Sequence, residues 1–477
     1  MTRGLAFVAM LMAGAAAAAP NPTERAKPGS PEPVMRAEIR DMPQAGIYRV
    51  GMTLSEDAPV WIFLRSGLAR GSDASWRPEG WTVLTPGVEL TRIGHHDALI
   101  AKDGGDLPRN IVIQFRPYTG LLEADYQPAM DLGDGSVAIF SDHFTMRPAP
   151  SIAAVQQLGQ DWTPLPDYEG GHPVVSFRGD GFFDGSDYPG RFSLEEASYV
   201  IHGDIVPTVG PYMSTIIDAE LPTWLGTQIE AETPQVLDFY AERLGPHESG
   251  TPELLISWNG PTPGTSSLGG SVIGDQIVMQ IEGDMLVEES RGLGANARQF
   301  IAHESAHFWL GNLVDYGRPG DAWSTEGGAD LMALRAGEAI DPEVGPRFAA
   351  AVKQQAWGSC LQGIEGGPLA TAPERGLHSS FYGCGLLFSL VAEKAAQEAG
   401  GDFFTFWSDL IEANREGGTV SAEEWIAHYE AIGGSAAAAA FMRTIAFDRG
   451  GDFNTLSALL AYAGVSSPAG PRAAPSS

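Results

Sequence analysis

His303, Glu304 and His307 stand as an H-E-x-x-H motif, and Glu326 follows after eighteen intervening residues. On a helix, positions i and i+4 share a face. The two imidazoles can therefore grip one metal ion while Glu304, one residue on, faces the space beside it. Two neutral imidazoles and a carboxylate make three ligands, the number that leaves zinc a fourth position for chemistry; a structural zinc site is closed by four. The metal's charge acidifies water, and Glu304 is placed to take a proton from a water that attacks a carbonyl. Phe300, Ile301, Phe308 and Leu310 supply apolar faces, no proline interrupts them, and Gly311-Asn312 supplies a stop, so a helix is expected to run up to that pair. The bland alternative is a buried helix with two satisfied histidines. Glu326, inside a W-x-x-E-G-G-A-D segment that reads as the start of another helix, counts against it.

HESAHFWLGNLV followed by WSTEGGA resembles the aminopeptidase N (membrane alanyl aminopeptidase) family of gluzincin zinc peptidases, in a short, exported bacterial form. The family pattern is H-E-x-x-H-x-W-x-G-N-x-V, eighteen residues to the third ligand, then a W-L-N-E-G-F-A type segment. This chain departs from it at Ser324, Thr325 and Gly328, none of them a ligand position. The resemblance implies one Zn2+ per chain on His303, His307 and Glu326, with Glu304 as general base. It also implies that Tyr382, in a Y-x-x-G helix start, stabilises the oxyanion; a phenol suits that task because a neutral donor acts only as the charge appears. Packing at a helix start is the other reading of Tyr382. Asp330, four residues after Glu326, either orients a zinc histidine or is a solvated helix aspartate. One departure bears on specificity. Aminopeptidases of the family carry G-x-M-E-N on an edge strand, and its glutamate binds the substrate's amino terminus. Gly269-Gly270-Ser271-Val272-Ile273 stands there instead, with no acid, leaving Glu232, Asp275 or Glu282 to substitute from elsewhere.

The expected fold class is multidomain: an N-terminal all-β sandwich or saddle domain (36–206), then a thermolysin-like α+β catalytic domain (207–465) with a mainly helical C-terminal part. In the first, segments such as GIYRVGMTL, VWIFLR, NIVIQFRP, VAIFSD, PVVSFRG and ASYVIHGDIV are strand-like and separated by turn formers. In the second, Thr233-Pro234 reads as the N-cap and first-turn proline of a helix, and ELLISW as a buried strand. GPTPGTSSLGG reads as a loop, and GGSVIGDQIVMQIEG as one edge strand. Helices are expected over LMALRAGEAI, SSFYGCGLLFSLVAEKAAQEAG, DFFTFWSDLIEANRE and SAEEWIAHYEAI.

MTRGLAFVAMLMAGAAAAAP joins one positive charge at Arg3 to an apolar run with small residues at its end. It reads as a secretory signal (1–18) cut after Ala18, followed by a flexible lead-in (19–35); residues 466–477 read as a disordered tail. No later stretch approaches the roughly 20 apolar residues of a bilayer span, so the expectation is a periplasmic or secreted protein with no stable membrane insertion after cleavage. Sixty acidic against 29 basic residues, a net charge of -31, disfavour nucleic acid and acidic membrane surfaces; the expected partner is a peptide or protein substrate. The readings that compete with a peptidase are a non-catalytic zinc-containing peptide-binding or scaffold protein, and a zinc hydrolase of a non-peptide amide or epoxide. Cys360 and Cys384 are the only cysteines, outside any C-x-x-C arrangement, and are expected to form a disulfide between the loop after the Glu326 helix and the start of the Tyr382 helix. Protein recovered from an exporting bacterium is expected to begin at Ala19 by intact mass. Soluble extracytoplasmic protein that retains Met1 would sink the signal reading.

Overall fold

Short segments of alternating apolar residues in the first two hundred positions pair into three sheets. The structure, a computed structural model, describes residues 32–465 apart from 43–45, 124, 161, 166–170, 184–190, 195, 211–212, 248–251 and 416–417. The signal, most of the lead-in and the tail lie outside the described residues. Met35, Ala37 and Ile39 face one core from strand Met35–Asp41, as do Tyr48, Val50, Met52 and Leu54 from Tyr48–Leu54, the period of two that a half-buried strand requires. A six-stranded sheet runs in the order Arg191–Leu194, Val174–Arg178, Met35–Asp41, Tyr48–Leu54, Asn110–Phe115, Trp81–Val83. One four-stranded sheet is built from Met146–Ala149, Val60–Phe63, His96–Ala101 and Val88–Ile93, and another from Phe182–Phe183, Tyr199–His202, Val137–Phe140 and Ala129–Asp131.

A fourth, five-stranded sheet carries the rest of the chain. Its order is Thr208–Val209, Ser214–Ile217, Glu253–Trp258, Gln276–Glu282, Ser267–Ile273; the three middle strands are parallel and the last, antiparallel, is an edge. The single edge strand expected here is thus a hairpin, because Gly274 adopts φ 55° and lets the chain reverse in two residues. The β-rich part seals against this sheet through a shared core that includes Phe140, Tyr199, Ile216, Leu255 and Val278. Gln276 extends the pairing: its side chain accepts from the Tyr199 amide at 2.8 Å and donates to the Tyr199 carbonyl at 2.8 Å.

From Thr223 the chain is mainly helical outside the sheet. The first helix, Thr223–Leu244, begins ten residues before its expected cap and holds Pro234 inside. Proline is tolerated there because the carbonyl it deprives, that of Glu230, lies on an exposed residue, while the Thr233 hydroxyl and the Gln235 amide donate to the flanking Ile229 and Ala231 carbonyls. The motif helix, Arg291–Ala306, is capped by Ser290 and stops at His307, earlier than Gly311-Asn312 suggested. Trp323–Ile340 carries Glu326, Ser379–Glu398 carries Tyr382, and the capping box of Ser421 with Glu424 opens Ala422–Ala431 as expected. No described helix is long and apolar enough to cross a membrane.

Between the Glu326 and Tyr382 helices comes one that the sequence pattern did not single out, Gly345–Ile364. It carries Cys360, bonded to Cys384. The disulfide therefore joins two helices rather than a loop to a helix. Glycines let the Glu326 and Tyr382 helices approach: a Cβ on Gly327 would lie 2.0 Å from the Gly385 carbonyl carbon, and one on Gly385 would lie 2.1 Å from the Trp323 oxygen. Backbone there has nowhere to go. Gly385→Ala is expected to destabilise the protein by about 1–3 kcal/mol, the usual cost of overpacking. Gly358→Ala, on the same helix layer with nothing within 4 Å of the added carbon, is expected to stabilise by about 0.5–1 kcal/mol. Denaturant titrations of both variants check the pair; equal effects of one sign would refute the packing argument.

Candidate active site

The motif helix is buried through its last two turns, from Phe300 to Ala306. It is fixed from outside the ligand face: Tyr240, on Thr223–Leu244, donates to the Ala302 carbonyl at 2.8 Å, and Trp309 Nε1 donates to the Gly245 carbonyl at 3.0 Å. Each histidine is then oriented by its Nδ1. That of His303 is 2.9 Å from Asp330 Oδ1, and that of His307 is 2.8 Å from the Leu310 carbonyl oxygen. Gly311, at φ 151°, turns the chain so that this carbonyl faces back to His307; an added Cβ would come 3.2 Å from the His307 oxygen. Asn312 completes the frame, donating from Nδ2 to the carbonyl of Gly274 at 3.1 Å and so tying the motif to the hairpin turn.

With both Nδ1 atoms engaged, both Nε2 atoms point inward. They lie 3.2 Å apart, and Glu326 Oε2 is 3.2 Å from that of His303 and 3.6 Å from that of His307. Four tetrahedral ligands at the 2.0–2.1 Å of zinc–nitrogen bonds stand about 3.3 Å from one another, so the separations fit zinc without rearrangement. Glu326 Oε2 is buried and makes no hydrogen bond of its own, an acceptor left for a cation. Among the described residues this is the one group of three or more His, Cys, Asp or Glu residues so gathered. Asp330 serves as the orienting carboxylate, one turn after Glu326 on the same helix face.

The electrostatics agree. Burial drags His303 and His307 down, but Asp330 and Glu326 for the one, and Glu326 for the other, outweigh it and raise both imidazoles. Burial raises the Glu326 carboxyl, yet the two histidines hold it well below the usual carboxylate range. The three groups together favour positive charge, and a metal must displace protons to bind. Glu304 differs: burial raises it further than the histidines pull it down, which makes it a stronger base than a free glutamate. Tyr382 lies beside the ligands, its ring tilted 36° to that of His303 with centroids 5.7 Å apart, and burial followed by the charges of Glu326 and Glu304 keeps its phenol well above the ordinary value, hence protonated.

The structure gives the other candidates different work. Glu232 is bonded to Arg298 at 2.7 Å, Glu282 to Arg70 at 2.7 Å, and Asp275 is exposed at the hairpin turn. Trp309 and Trp323 are fully buried core. Sequence reasoning missed Tyr126, whose hydroxyl shares a 2.8 Å hydrogen bond with Ser271 Oγ; nothing in its local sequence marks a contact 145 positions away.

Fold and site together describe a protein of several sheets with a helical C-terminal part and a buried three-donor group that suits a divalent metal. No family model matches the sequence, and no curated protein matches it. Solved structures do. The fold is similar to that of an aminopeptidase N family protein from Idiomarina loihiensis, with 12% identity, a TM-score of 0.58, and 90% of this chain and 78% of that one covered. Yeast LTA4 hydrolase in complex with bestatin matches with 13% identity and a TM-score of 0.50 over 88% of this chain and 68% of that one. The M1 zinc metallopeptidase of Deinococcus radiodurans matches with 14% identity and a TM-score of 0.46 over 88% and 94%. In fold, then, the chain is aminopeptidase N-like.

The purified protein is expected to bind one zinc, and His303→Ala to lose it. Asp330→Ala is expected to keep the fold and bind zinc 10–100-fold more weakly, the usual cost of removing such a partner. Competition against a chromogenic chelator measures both. Unchanged zinc affinity in Asp330→Ala would show that His303 is oriented by something else.

Proposed function

We propose that the chain is an exported zinc metallopeptidase that hydrolyses peptide bonds, with His303, His307 and Glu326 as the zinc ligands. The observation that carries the reading is the convergence of two Nε2 atoms and Glu326 Oε2 at zinc-ligand separations beside a buried, strengthened base, Glu304. Zinc, when bound, supplies a Lewis acid that polarises a carbonyl and acidifies water. Glu304 accepts the proton of the attacking water and returns it to the leaving amine. Tyr382, protonated and beside His303, donates a hydrogen bond to the oxygen on which negative charge develops. On this reading residues 36–206 form a β domain and 207–465 a thermolysin-like, gluzincin catalytic domain. The similarity of fold to an aminopeptidase N family protein supports the class. Export is supported by the Cys360–Cys384 disulfide, a bond that persists in oxidising compartments.

Glu304→Gln is expected to retain zinc and lose about 10²–10⁴-fold in kcat, because an amide cannot accept the proton. Tyr382→Phe is expected to lose about 10²–10³-fold in kcat with KM little changed, since its bond strengthens only in the transition state. Assays on a quenched-fluorescent peptide library with zinc-loaded protein check both. A Glu304→Gln variant within tenfold of the parent would reject the mechanism.

A further inference from the structure

The six-stranded sheet buries one face and leaves the other open to water. Among the described residues its outward positions carry Arg36 and Arg40 on Met35–Asp41, Arg49 on Tyr48–Leu54 and Arg178 on Val174–Arg178, against one acid, Glu38. The chain as a whole has 60 acidic and 29 basic residues, so this face reverses the balance. Three of the arginines form a row, because Arg40 pairs in register with Arg178 on one side and with Arg49 on the other. Like charges at paired positions repel, and the row weakens the sheet that holds it. Glu38 is bonded to Arg40, and Arg36 reaches the exposed Glu32 at 3.4 Å. Among the described residues Arg49 and Arg178 have no carboxylate partner. The next outward row, Ser176, Glu38, Gly51 and Val112, runs beside the arginines and lines a groove of about 370 Å³ together with Thr53 and Asn110. A Cβ added at Gly51 would meet nothing within 4 Å, so the floor of the groove is open there.

We propose that this face is a docking site for an acidic segment of another polypeptide, which lies in the groove and pairs its carboxylates with Arg49 and Arg178. The inference goes beyond the metal site and holds whether or not that site cleaves peptides. Neighbouring strands are about 4.8 Å apart, which places Arg178 and Arg49, on either side of Arg40, about 10 Å apart; carboxylates two or three residues apart in an extended peptide span about 7–10 Å. A guanidinium takes a carboxylate through two parallel N–H donors, and each such pair relieves part of the repulsion in the row. Thr53, Asn110 and Ser176 offer hydroxyl and amide groups to the main chain of the bound segment. Charges farther away than a Debye length of roughly 8 Å are largely screened, so the arginines rather than the net charge of -31 decide what touches the face. A long polyanion would run off the patch onto acidic surface, and no described outward position of the sheet is aromatic, which leaves nucleic-acid bases nothing to stack on. A short acidic peptide meets neither obstacle.

The probe is fluorescein-labelled hexaglutamate, with hexaglutamine as the neutral control, titrated by anisotropy into zinc-loaded full-length protein carrying Glu304→Gln so that the peptide survives. Hexaglutamate is expected to bind, more weakly as salt rises, and hexaglutamine to fail. Arg49→Gln with Arg178→Gln is expected to weaken binding about tenfold, from two exposed pairs each worth up to about fivefold. The same double variant is expected to melt no lower than the parent, since repulsion in the row is relieved. Arg347→Gln with Arg449→Gln removes equal charge at other exposed positions and is expected to leave binding unchanged. Equal weakening in the two double variants, no binding of hexaglutamate, or tighter binding of an oligouronate or an RNA oligomer would overturn the inference. A lower melting temperature in Arg49→Gln with Arg178→Gln would overturn it as well, by assigning the arginines to the fold. No turnover enters the measurement, so the peptidase reading stands or falls separately.

Discussion

The contact of Gly327 with Gly385 is the constraint on which the site depends. Two helices meet there at backbone distance, with no side chain between them. Gly327 adjoins Glu326, and Gly385 lies one turn beyond Tyr382, so the same contact sets the height of a metal ligand and of the phenol opposite it. Larger residues at either position would hold the helices apart and spread the donors beyond the separations that suit zinc. The Cys360–Cys384 bond clamps the Tyr382 helix to Gly345–Ile364 from its other side. Gly383 and Gly363, tight against Ser359 and Ser380, let those two helices close as well.

Charge is the second consequence of this packing. His303, His307, Glu304 and Glu326 are placed where water is scarce, and desolvation alone would neutralise each of them. Their mutual arrangement decides otherwise. Glu326 stays ionised because two imidazoles face it, and the imidazoles hold positive charge because carboxylates flank them. Glu304 is the member whose burial wins, which separates the base from the ligand although both are glutamates. In the β-rich part Arg65, Arg77 and Arg92 pair with Asp97, Asp125 and Asp142, so six formal charges leave no net charge.

The β-rich part is more than a neighbour of the mixed sheet. Gln276 completes the main-chain hydrogen bonds of Tyr199, and apolar side chains from both sides make one core. Tyr126 is carried to the edge strand on that rigid footing.

What the sequence determined by itself was short-ranged. The i, i+4 histidines, the helix that brings Glu326, the capping box at Ser421 and the alternation in the strands are properties of a few consecutive residues, and each was legible from them. Pro234 misled because its cost is decided by whether the deprived carbonyl reaches solvent. The edge strand was read as one piece because Gly274 could sit in a strand or a turn until a partner strand chose. Asp330 kept two readings until His303 Nδ1 stood 2.9 Å away, and the cysteines were an expected pair whose helix-to-helix setting was not visible. Tertiary structure alone brought Tyr126 to Ser271, Tyr240 to Ala302, and Gly327 to Gly385. Those meetings follow from which apolar faces bury against one another, a choice made by the whole core at once and written in no local pattern.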